Sequence, residues 1–328
     1  MNVPRISVVM SVYNGQRHLR RAVESILRQT SANFEFIIVN DGSTDDSRVI
    51  LGELAAQDSR IRVIDQPNRG LTCALCSGCH EARGEFIARQ DADDWSTPGR
   101  LAALVAHLDA NPAVVMAGTW AVYVDDDNET VDRIQPPIDA KEATRRLLHE
   151  RCGPPAHGAI MFRRSAYEDV GGYRTCFYYA QDFDLWLRLG RVGLLSYVPE
   201  EHYHVRVSPL GISGVRSDWQ LQFADLGQLA HEARVRGESD EAFVAAAEQL
   251  RQDLLSAKLK LSHVRRQQSA AYYRMGTCMS RLGNPRACSH FWSSIRLNPL
   301  HWRSWCRLSL ELIRRPFARP VMSKSNHE

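Results

Sequence analysis

Three carboxylates stand within four residues, at Asp91, Asp93 and Asp94, directly after a short segment, 85–89, whose centre is apolar. Carboxylates in this position add nothing to a hydrophobic core, and burying them without partners costs free energy. They become useful where a divalent cation lies between them and a diphosphate, because Mg²⁺ and Mn²⁺ prefer oxygen ligands and bridge to phosphate. A lone D-x-D triplet is usually a solvated loop, so its surroundings decide its meaning.

Polar side chains also follow the other strands that the sequence predicts. Helical segments separate four predicted strands, which cover residues 6–12, 34–39, 61–64 and 85–89. The alternation of strand and helix predicts a parallel α/β sheet, in which ligands bind at the carboxyl ends of the strands. Tyr13, Asp41, Arg69 and Asp91 all fall at such ends. The pattern therefore predicts a nucleotide-binding crevice.

The ordered motifs of the chain resemble those of family 2 inverting glycosyltransferases with a GT-A fold. The matching segments are 7–14, 40–45, 68–71, 82–89, 91–94, 98–101, 171–173 and 181–188. The resemblance extends from about residue 4 to residue 215, and its specificity comes from the order of the whole set. It implies an α/β fold with a mixed, mainly parallel GT-A sheet flanked by helices, followed by an all-α C-terminal region.

The resemblance also implies a role for each residue at the donor. Ser11 and Tyr13 would flank the nucleobase, and Asp41 would hydrogen-bond its edge. Arg69 would lie near the base or the diphosphate, and Asp91 would reach the ribose and the sugar. The first candidate for the donor is a UDP-sugar.

The cofactor that the resemblance implies is a divalent cation, Mn²⁺ or Mg²⁺, held by Asp93. Asp94 would contact the sugar or support the residues around the metal. Arg206 would hold the diphosphate, and the segment 205–209 would form a closing loop. Ser208 stands where the family often has a histidine.

An inverting transfer needs a general base, because the acceptor hydroxyl loses its proton as the new bond forms. The resemblance assigns this role to Asp182. Asp184 lies two residues further along a predicted helix, so the two carboxylates point in different directions and at most one faces the site. Gln181 replaces the usual glutamate of the family, and His157 either lines the acceptor pocket or is structural.

Two further patterns leave alternatives open. Cys73, Cys76 and Cys79 have the spacing of a haem or iron–sulfur motif. They also fall on one predicted helix, where buried cysteines act as small apolar residues, and we favour that interpretation. The run 125–128 is either a second metal site or, as turn chemistry favours, a solvated hairpin turn between strands over 113–124 and 129–135.

The chain has 328 residues, 44% of them hydrophobic and 24% charged, which is ordinary for a globular enzyme. It lacks a run of 18 apolar residues and a signal peptide, so we expect a cytoplasmic protein, at most peripheral on the inner face of the cytoplasmic membrane. We predict a catalytic domain over 1–215 and a weakly tetratricopeptide-like helical region over 216–328. The predicted helices of this region cover residues 218–236, 240–262, 268–282, 285–297 and 300–313.

The end of the chain is basic. From Arg281 onward there are nine lysines or arginines against two acids, with Trp292, Trp302 and Trp305 among them. One interpretation is a solvated basic face over a tryptophan-filled core. The other is association with an anionic membrane surface. Nucleic-acid binding is not expected, since no recognised module accompanies the charge.

The resemblance implies a transferase that moves a sugar to a glycan or polyprenyl-linked acceptor, in bacterial surface polysaccharide or glycolipid synthesis. An alternative is a non-catalytic nucleotide-sugar-binding or scaffold protein that acts through its helical tail, and Gln181 is its sequence support. The third hypothesis is a nucleotidylyltransferase. The absence of a glycine-rich basic loop after the first predicted strand argues against it.

Overall fold

The computed structural model describes residues 3–31, 33–257 and 260–314. Within these ranges nine strands form one sheet. Their bounds are β1 Ile6–Val12, β2 Phe34–Asp41, β3 Ile61–Gln66, β4 Phe86–Arg89, β5 Trp95–Ser96, β6 Val114–Val124, β7 Thr130–Ile134, β8 Ile160–Arg163 and β9 Leu194–Arg206.

Helices connect the strands and make up the rest of the chain. In the first part of the chain they are α1 Leu19–Leu27, α2 Ser47–Gln57, α3 Leu71–His80, α4 Arg100–Ala110, α5 Ala140–Glu150, α6 Arg164–Asp169 and α7 Gln181–Val192, with a 3-10 turn at His157–Ala159. After β9 come α8 Ile212–Val215, α9 Ser217–Val235, α10 Glu241–Ser256, α11 Leu261–Arg281, α12 Ala287–Leu297 and α13 Trp302–Arg314.

The strand order is β3-β2-β1-β4-β8-β6-β9-β5, and β7 pairs with β6. The first four strands are parallel, so the residues after β1, β2 and β4 meet at one edge. Strand β8 is antiparallel to both β4 and β6, whereas β6 and β9 are parallel. The mixed, mainly parallel sheet flanked by helices that the sequence predicted is therefore confirmed.

Strand β1 shows why the sheet is covered on both sides. Val8 and Met10 face a cluster that includes Val23 of α1, whereas Val9 faces the cluster around Leu75 of α3. Successive side chains of a strand point to opposite faces, so an uninterrupted apolar strand needs helices on both. Each fully buried side chain of this size contributes about 1.5–3 kcal/mol.

The structure moves some predicted elements. The prediction of a closing loop over 205–209 was wrong for its first two residues, because Val205 and Arg206 form the end of the long strand β9. The helix expected over 240–262 ends at Ser256, and α11 begins at Leu261, seven residues before its predicted start at 268. The strands expected at 113–124 and 129–135 are β6 and β7.

The chain divides into two compact units, which are residues 1–207 with 218–257 and residues 208–217 with 258–328. In the first unit, Phe223 of α9 and Ala247 of α10 form an apolar cluster with Phe177. In the second, Ala287 and Phe291 of α12 pack against Gly276 of α11.

The predicted boundary at residue 215 stays a prediction. Among the helices of the described residues, none is both long and apolar enough to cross a bilayer.

Candidate active site

The acidic loop after β4 is held by an arginine of the strand itself. The side chain of Arg89 is fully buried and donates hydrogen bonds to the carbonyls of Val9 and Gln90. Its Nη2 lies 2.6 Å from Oδ1 of Asp91. A charge-assisted bond of this kind, with its cation out of water, fixes the carboxylate in one orientation. Asp91 is thus positioned before any ligand arrives.

A second buried arginine, Arg100 at the start of α4, ties three segments together. It donates to the backbone carbonyls of Arg89 and Gly158 and to the side-chain oxygens of Gln90 and Ser96. Burial lowers the pKa of Arg100 to about 10, so it stays charged at neutral pH. Sequence reasoning gave neither arginine a role. A cation inside the apolar strand 85–89 and another in the motif 98–101 were the available signals.

Asp93 and Asp94 differ in exposure. Asp93 opens to solvent, yet desolvation by the surrounding protein, and next the charge of Asp91, raise its pKa to about 6. Asp94 is buried and accepts a hydrogen bond of 2.7 Å from the backbone N–H of Arg206. Burial and then the two neighbouring carboxylates raise the pKa of Asp94 well above its usual range. Asp93 is therefore the most exposed of the three carboxylates, while Asp91 is partly exposed and Asp94 is buried.

The loops after β1 and β2 are bonded to each other. The backbone N–H of Asn14 donates to Oγ of Ser43, and Oδ1 of Asn14 accepts from the N–H of Thr44. Tyr13 follows β1 with 53% of its surface exposed, on a backbone that this exchange fixes. Ser11 is a partly buried residue near the end of the same strand. The arrangement places an exposed aromatic residue beside the carboxyl ends of β1 and β2.

Asp41 closes the neighbouring loop. Its carboxylate accepts from Nε2 of Gln66 at 2.7 Å and from the backbone N–H groups of Arg69 and Gly70 at 2.9 and 2.8 Å. Gly70 has a φ of 88°, and a Cβ there would lie 2.6 Å from the hydroxyl oxygen of Tyr178. The side chain of Arg69 is exposed. Asp41 thus shapes the loop that carries Arg69, in addition to any contact with a base.

Asp182 lies in the first turn of α7, where the charge of Asp91 acts on it. Burial and then the charge of Asp91 raise its pKa to about 6, whereas Arg89 acts in the opposite direction. Its Oδ1 accepts from the N–H of Phe183 at 2.8 Å. Beside it, Oε1 of Gln181 is buried and has no hydrogen-bond partner among the described residues. The fold brings the predicted base and the predicted donor contact into electrostatic reach of each other.

Asp184, two residues along the same helix, is engaged elsewhere. It is fully buried and forms ion pairs with Arg174 and with Arg188, the latter at 2.7 Å. The prediction that Asp182 and Asp184 point in different directions agrees with these contacts. Asp184 secures α7 in the fold.

His157 lies in the 3-10 turn before β8. Its Nε2 is 2.6 Å from the hydroxyl of Tyr173, and its ring meets that of Trp186 edge-on at 6.2 Å. Burial and then the charge of Arg89 lower the pKa of His157 well below its usual range. Gly158 follows, and a Cβ at that position would lie 2.9 Å from Oδ2 of Asp91. A neutral histidine therefore borders the acidic loop.

Arg206 is bound to the hairpin turn between β6 and β7. Its guanidinium donates to the carbonyl of Asp125 and to Oδ1 of Asn128, both at 3.0 Å. Arg21 donates to the same Oδ1 at 2.6 Å and lies 3.4 Å from the ring centroid of Trp95. Sequence reasoning missed Arg21, Trp95 and Asn128, since their elements are far apart in the chain.

The prediction of a solvated hairpin turn is confirmed, since residues 126–129 are exposed. Asp125 is buried beneath the turn, and its Oδ1 accepts from the N–H groups of Asp127 and Glu129 at 2.9 Å. The turn is built by Asp125 and presents Asn128 to the two arginines. Asp126 is exposed and contributes to the raised pKa of Asp93.

The three spaced cysteines lie on α3. Cys79 is buried, and Sγ of Cys76 approaches the carbonyl of Tyr173 at 3.7 Å. Burial raises the pKa of Cys76 to about 11 and that of Cys79 to about 12, so both thiols stay protonated at neutral pH. Over the described ranges, no group of three or more His, Cys, Asp or Glu is arranged to hold an ion.

The chain is similar to known glycosyltransferases. The family model for Glycosyl transferase family 2 matches residues 7–171, just over half of the chain. Glycosyltransferase EpsE of Bacillus subtilis (strain 168) is 36% identical over 208 residues, 62% of this chain and 73% of that protein. A hyaluronan synthase of Pasteurella multocida is 26% identical over 204 residues, 62% of this chain but 20% of the synthase. Across seven relatives besides EpsE, the alignment covers 13–64% of their length.

Two solved structures share the fold. Staphylococcus aureus TarS 1-349 in complex with UDP superposes with a TM-score of 0.56 at 15% identity, covering 96% of this chain and 93% of that one. The mannosyltransferase PcManGT of Pyrobaculum calidifontis, in complex with GDP-Man and Mn²⁺, gives a TM-score of 0.55 at 18% identity, covering 95% and 86%.

Proposed function

Because the chain belongs to glycosyltransferase family 2, we propose that it transfers a sugar from a nucleotide-diphosphate donor to an acceptor hydroxyl with inversion. The observation that carries this proposal is the ion pair of Asp91 with the buried Arg89, together with the electrostatic interaction of both with Asp182. Asp91 is fixed by Arg89, and Asp182 lies within electrostatic reach of both. One carboxylate is immobilised, and the other has a pKa raised toward neutrality.

Asp182 is the proposed general base. A carboxylate with a pKa of about 6 is ionised at pH 7 and is a stronger proton acceptor than an ordinary aspartate. It takes the proton of the acceptor hydroxyl as that oxygen bonds to the anomeric carbon. Asp91 orients the sugar from its fixed position, and the neutral His157 borders the pocket without adding a competing charge.

The donor set at the acidic loop suits a divalent cation. Asp93 offers exposed carboxylate oxygens, the ligands that Mg²⁺ and Mn²⁺ prefer. These ions are usually bound by one or two carboxylates together with substrate phosphates, and not by a cage made entirely of protein. When bound, such an ion offsets the negative charge of the departing nucleoside diphosphate. Asp93 would hold it, with the buried Asp94 as support. The Mn²⁺ and GDP-Man of the mannosyltransferase structure support this assignment.

Ser11, Tyr13, Asp41 and Arg69 are the proposed nucleotide contacts, with a UDP-sugar as the first candidate donor. The UDP in the TarS complex supports that choice. The likeness to a hyaluronan synthase supports a role in polysaccharide or glycolipid synthesis. The proposed acceptor is a glycan or polyprenyl-linked hydroxyl.

The test is thermal unfolding with UDP, GDP, dTDP and CMP, each with and without Mn²⁺. A ligand at 100 times its Kd adds about 2.7 kcal/mol to the free energy of unfolding. We expect a Mn²⁺-dependent rise in Tm with one nucleotide, lost in Asp93→Asn. Asp169→Asn is the matched control, since it removes an exposed carboxylate outside the acidic loop that has no proposed role. A shift that survives Asp93→Asn, or the absence of any shift, would contradict the donor site.

A further inference from the structure

Helix α13 carries an outward apolar face that the transferase chemistry does not use. The exposed fractions are 66% for Trp302, 62% for Leu312 and 76% for Ile313, and Trp305 and Leu310 are exposed as well. We call these five residues the α13 face. Successive residues of a helix advance by about 100°, so the five share one broad side. The interpretation of a tryptophan-filled core, weighed from the sequence, was therefore wrong for Trp302 and Trp305.

The opposite side of α13 fixes the orientation of this face. Ser304 is fully buried and lies 2.8 Å from Oγ of Ser294. Glu311, seven residues later on the same side, is buried and accepts from the hydroxyl of Ser280 at 2.5 Å. Residues at i and i+7 share a side of a helix, and here that side is polar and bonded. Rotating α13 to bury its apolar side would break the hydrogen bonds of Ser304 and Glu311. These bonds therefore hold the apolar face toward the outside.

Arginines border the face. Arg303 and Arg307 are four residues apart and follow one edge of α13, next to Leu310. Across residues 261–314 the sequence has nine arginines, no lysine and a single acid, Glu311. One buried carboxylate cannot neutralise nine guanidinium groups. This part of the second unit therefore has positive charge that must be balanced from outside it.

From these observations we propose that the α13 face docks on an anionic lipid surface. A helix with exposed tryptophans on an apolar side and arginines along its edge lies in the plane of a membrane interface. The helix has 13 residues and is roughly 20 Å long, so it suits binding along the surface and is too short to cross a bilayer.

A second copy of this chain fits less well. It would cover the apolar residues, but the same surface offers no exposed acid among residues 261–314 for the arginines. Anionic headgroups match the arginines, and acyl chains match the tryptophans and aliphatic residues. The proposal concerns lipid binding alone, so its test is independent of whether the chain transfers sugar.

The experiment is co-sedimentation of the full chain with vesicles of phosphatidylcholine, alone or mixed equally with phosphatidylglycerol. We expect binding to the mixed vesicles that weakens as salt rises. Each arginine near an anionic surface contributes about fivefold to the partition coefficient, so Arg303→Gln with Arg307→Gln should weaken binding by roughly 30-fold. The matched control is Arg265→Gln with Arg266→Gln, which removes equal charge from an exposed part of α11 and should change binding by about twofold or less.

Insertion of the apolar residues is measured by quenching of tryptophan fluorescence with brominated phosphatidylglycerol. We expect quenching that is lost in Trp302→Phe with Trp305→Phe, and binding at least tenfold weaker in Leu312→Ser with Ile313→Ser.

Two sets of results would overturn the proposal. One is equal loss of binding in both arginine pairs, which would mean that charge acts without a specific face. The other is absence of binding to the mixed vesicles; a dimer, seen by light scattering, that dissociates in Leu312→Ser with Ile313→Ser would then assign the α13 face to a second copy of the chain.

Discussion

The two units use arginine in opposite ways. In the first unit, Arg89 and Arg100 are fully buried, and each donates to backbone carbonyls and side chains fixed by the sheet. In the second unit, Arg303 is exposed on a helix whose surroundings contain nine arginines and one acid. The first pattern makes arginine part of the scaffold, with its partners supplied by folding. The second leaves charge that the unit itself cannot balance.

This difference separates residues that shape a site from residues that present a surface. Removing either a buried cation or its hydrogen-bond partners lowers the stability of the fold, because the polar groups that remain are buried without a partner and have no access to water. An exposed arginine is solvated with or without a protein partner, so its loss costs the fold little. Substitutions in the first unit should therefore change stability and chemistry, and those on α13 should change binding alone.

The largest effect is expected for Asp182→Asn. Removing a general base lowers turnover by 10²–10⁴-fold, on the order found for such groups. The folded protein should be at least as stable as the parent, because burial raises the pKa of Asp182 and its charge is unfavourable in the fold. Initial rates with a saturating donor, together with Tm, check both statements.

The matched control for that substitution is Asp184→Asn. It removes a carboxylate from buried ion pairs with Arg174 and Arg188, and should lower the free energy of unfolding by about 3–5 kcal/mol. Turnover per folded molecule should persist. If Asp184→Asn abolished turnover while Asp182→Asn retained it, the assignment of the base would be reversed.

The next largest effect is expected for Arg100→Met. The substitution removes the Arg100 donor from the buried carbonyls of Arg89 and Gly158 and leaves Oε1 of Gln90 with the hydroxyl of Ser96, at a cost of about 3–5 kcal/mol in unfolding free energy. Nucleotide binding should weaken as well, because Arg100 positions the loop that carries Asp91. Urea unfolding and nucleotide titration measure the two effects.

Arg163→Met offers a comparison with the same chemistry outside the acidic loop. Arg163 donates to the carbonyls of Leu108 and Val114. Its loss should lower stability and leave nucleotide affinity of the folded protein unchanged. Equal effects of Arg100→Met and Arg163→Met on affinity would argue against a positioning role for Arg100.

A smaller effect concerns pH. Asp182 accepts a proton only when ionised, and its pKa is raised to about 6. Turnover should therefore fall about tenfold for each pH unit below 6 and level off above it. The same raised pKa has the opposite sign for stability, since the protonated form suits the buried site and its contribution is lost as pH rises through 6. The acid limb of the rate profile should be absent from the residual activity of Asp182→Asn.

The smallest effect on the fold is expected for Arg303→Gln with Arg307→Gln. Surface substitutions of this kind change the free energy of unfolding by about 0.5 kcal/mol or less. The contrast with Arg100→Met, measured in one urea series, tests the comparison between the units directly. If Arg303→Gln with Arg307→Gln lowered the free energy of unfolding by several kcal/mol, these arginines would stabilise the fold as Arg100 does.

Short-range patterns in the sequence predicted much of the fold. Largely apolar runs predicted β1, β2 and β4, because a strand buried on both faces leaves a distinct composition, whereas the apolar run of β3 is shorter and the strand is only partly buried. The helical periods of the C-terminal region predicted most of its helices, and the errors fell at their ends, near residues 257–260 and 268. Boundaries depend on one or two caps and are set weakly by local preference.

Asp91, Asp93 and Asp182 could be named from the sequence because their types and motifs are distinctive. The residues that hold them could not. Arg100, Arg21 and Asn128 contact partners up to 107 positions away in the chain, and a long arginine side chain reaches whatever carbonyl the fold presents. No local pattern records such a partner.

The sequence by itself determined the alternation of strands and helices, the order of the motifs and the excess of positive charge at the end of the chain. These follow from composition and periodicity, which act over a few residues. The tertiary structure alone decided that Asp182 lies within electrostatic reach of Asp91, that Asp184 forms ion pairs instead, and that the α13 tryptophans face outward. The reason is that burial, desolvation and charge pairing depend on which distant segments pack together, and those contacts exist only once the chain has folded.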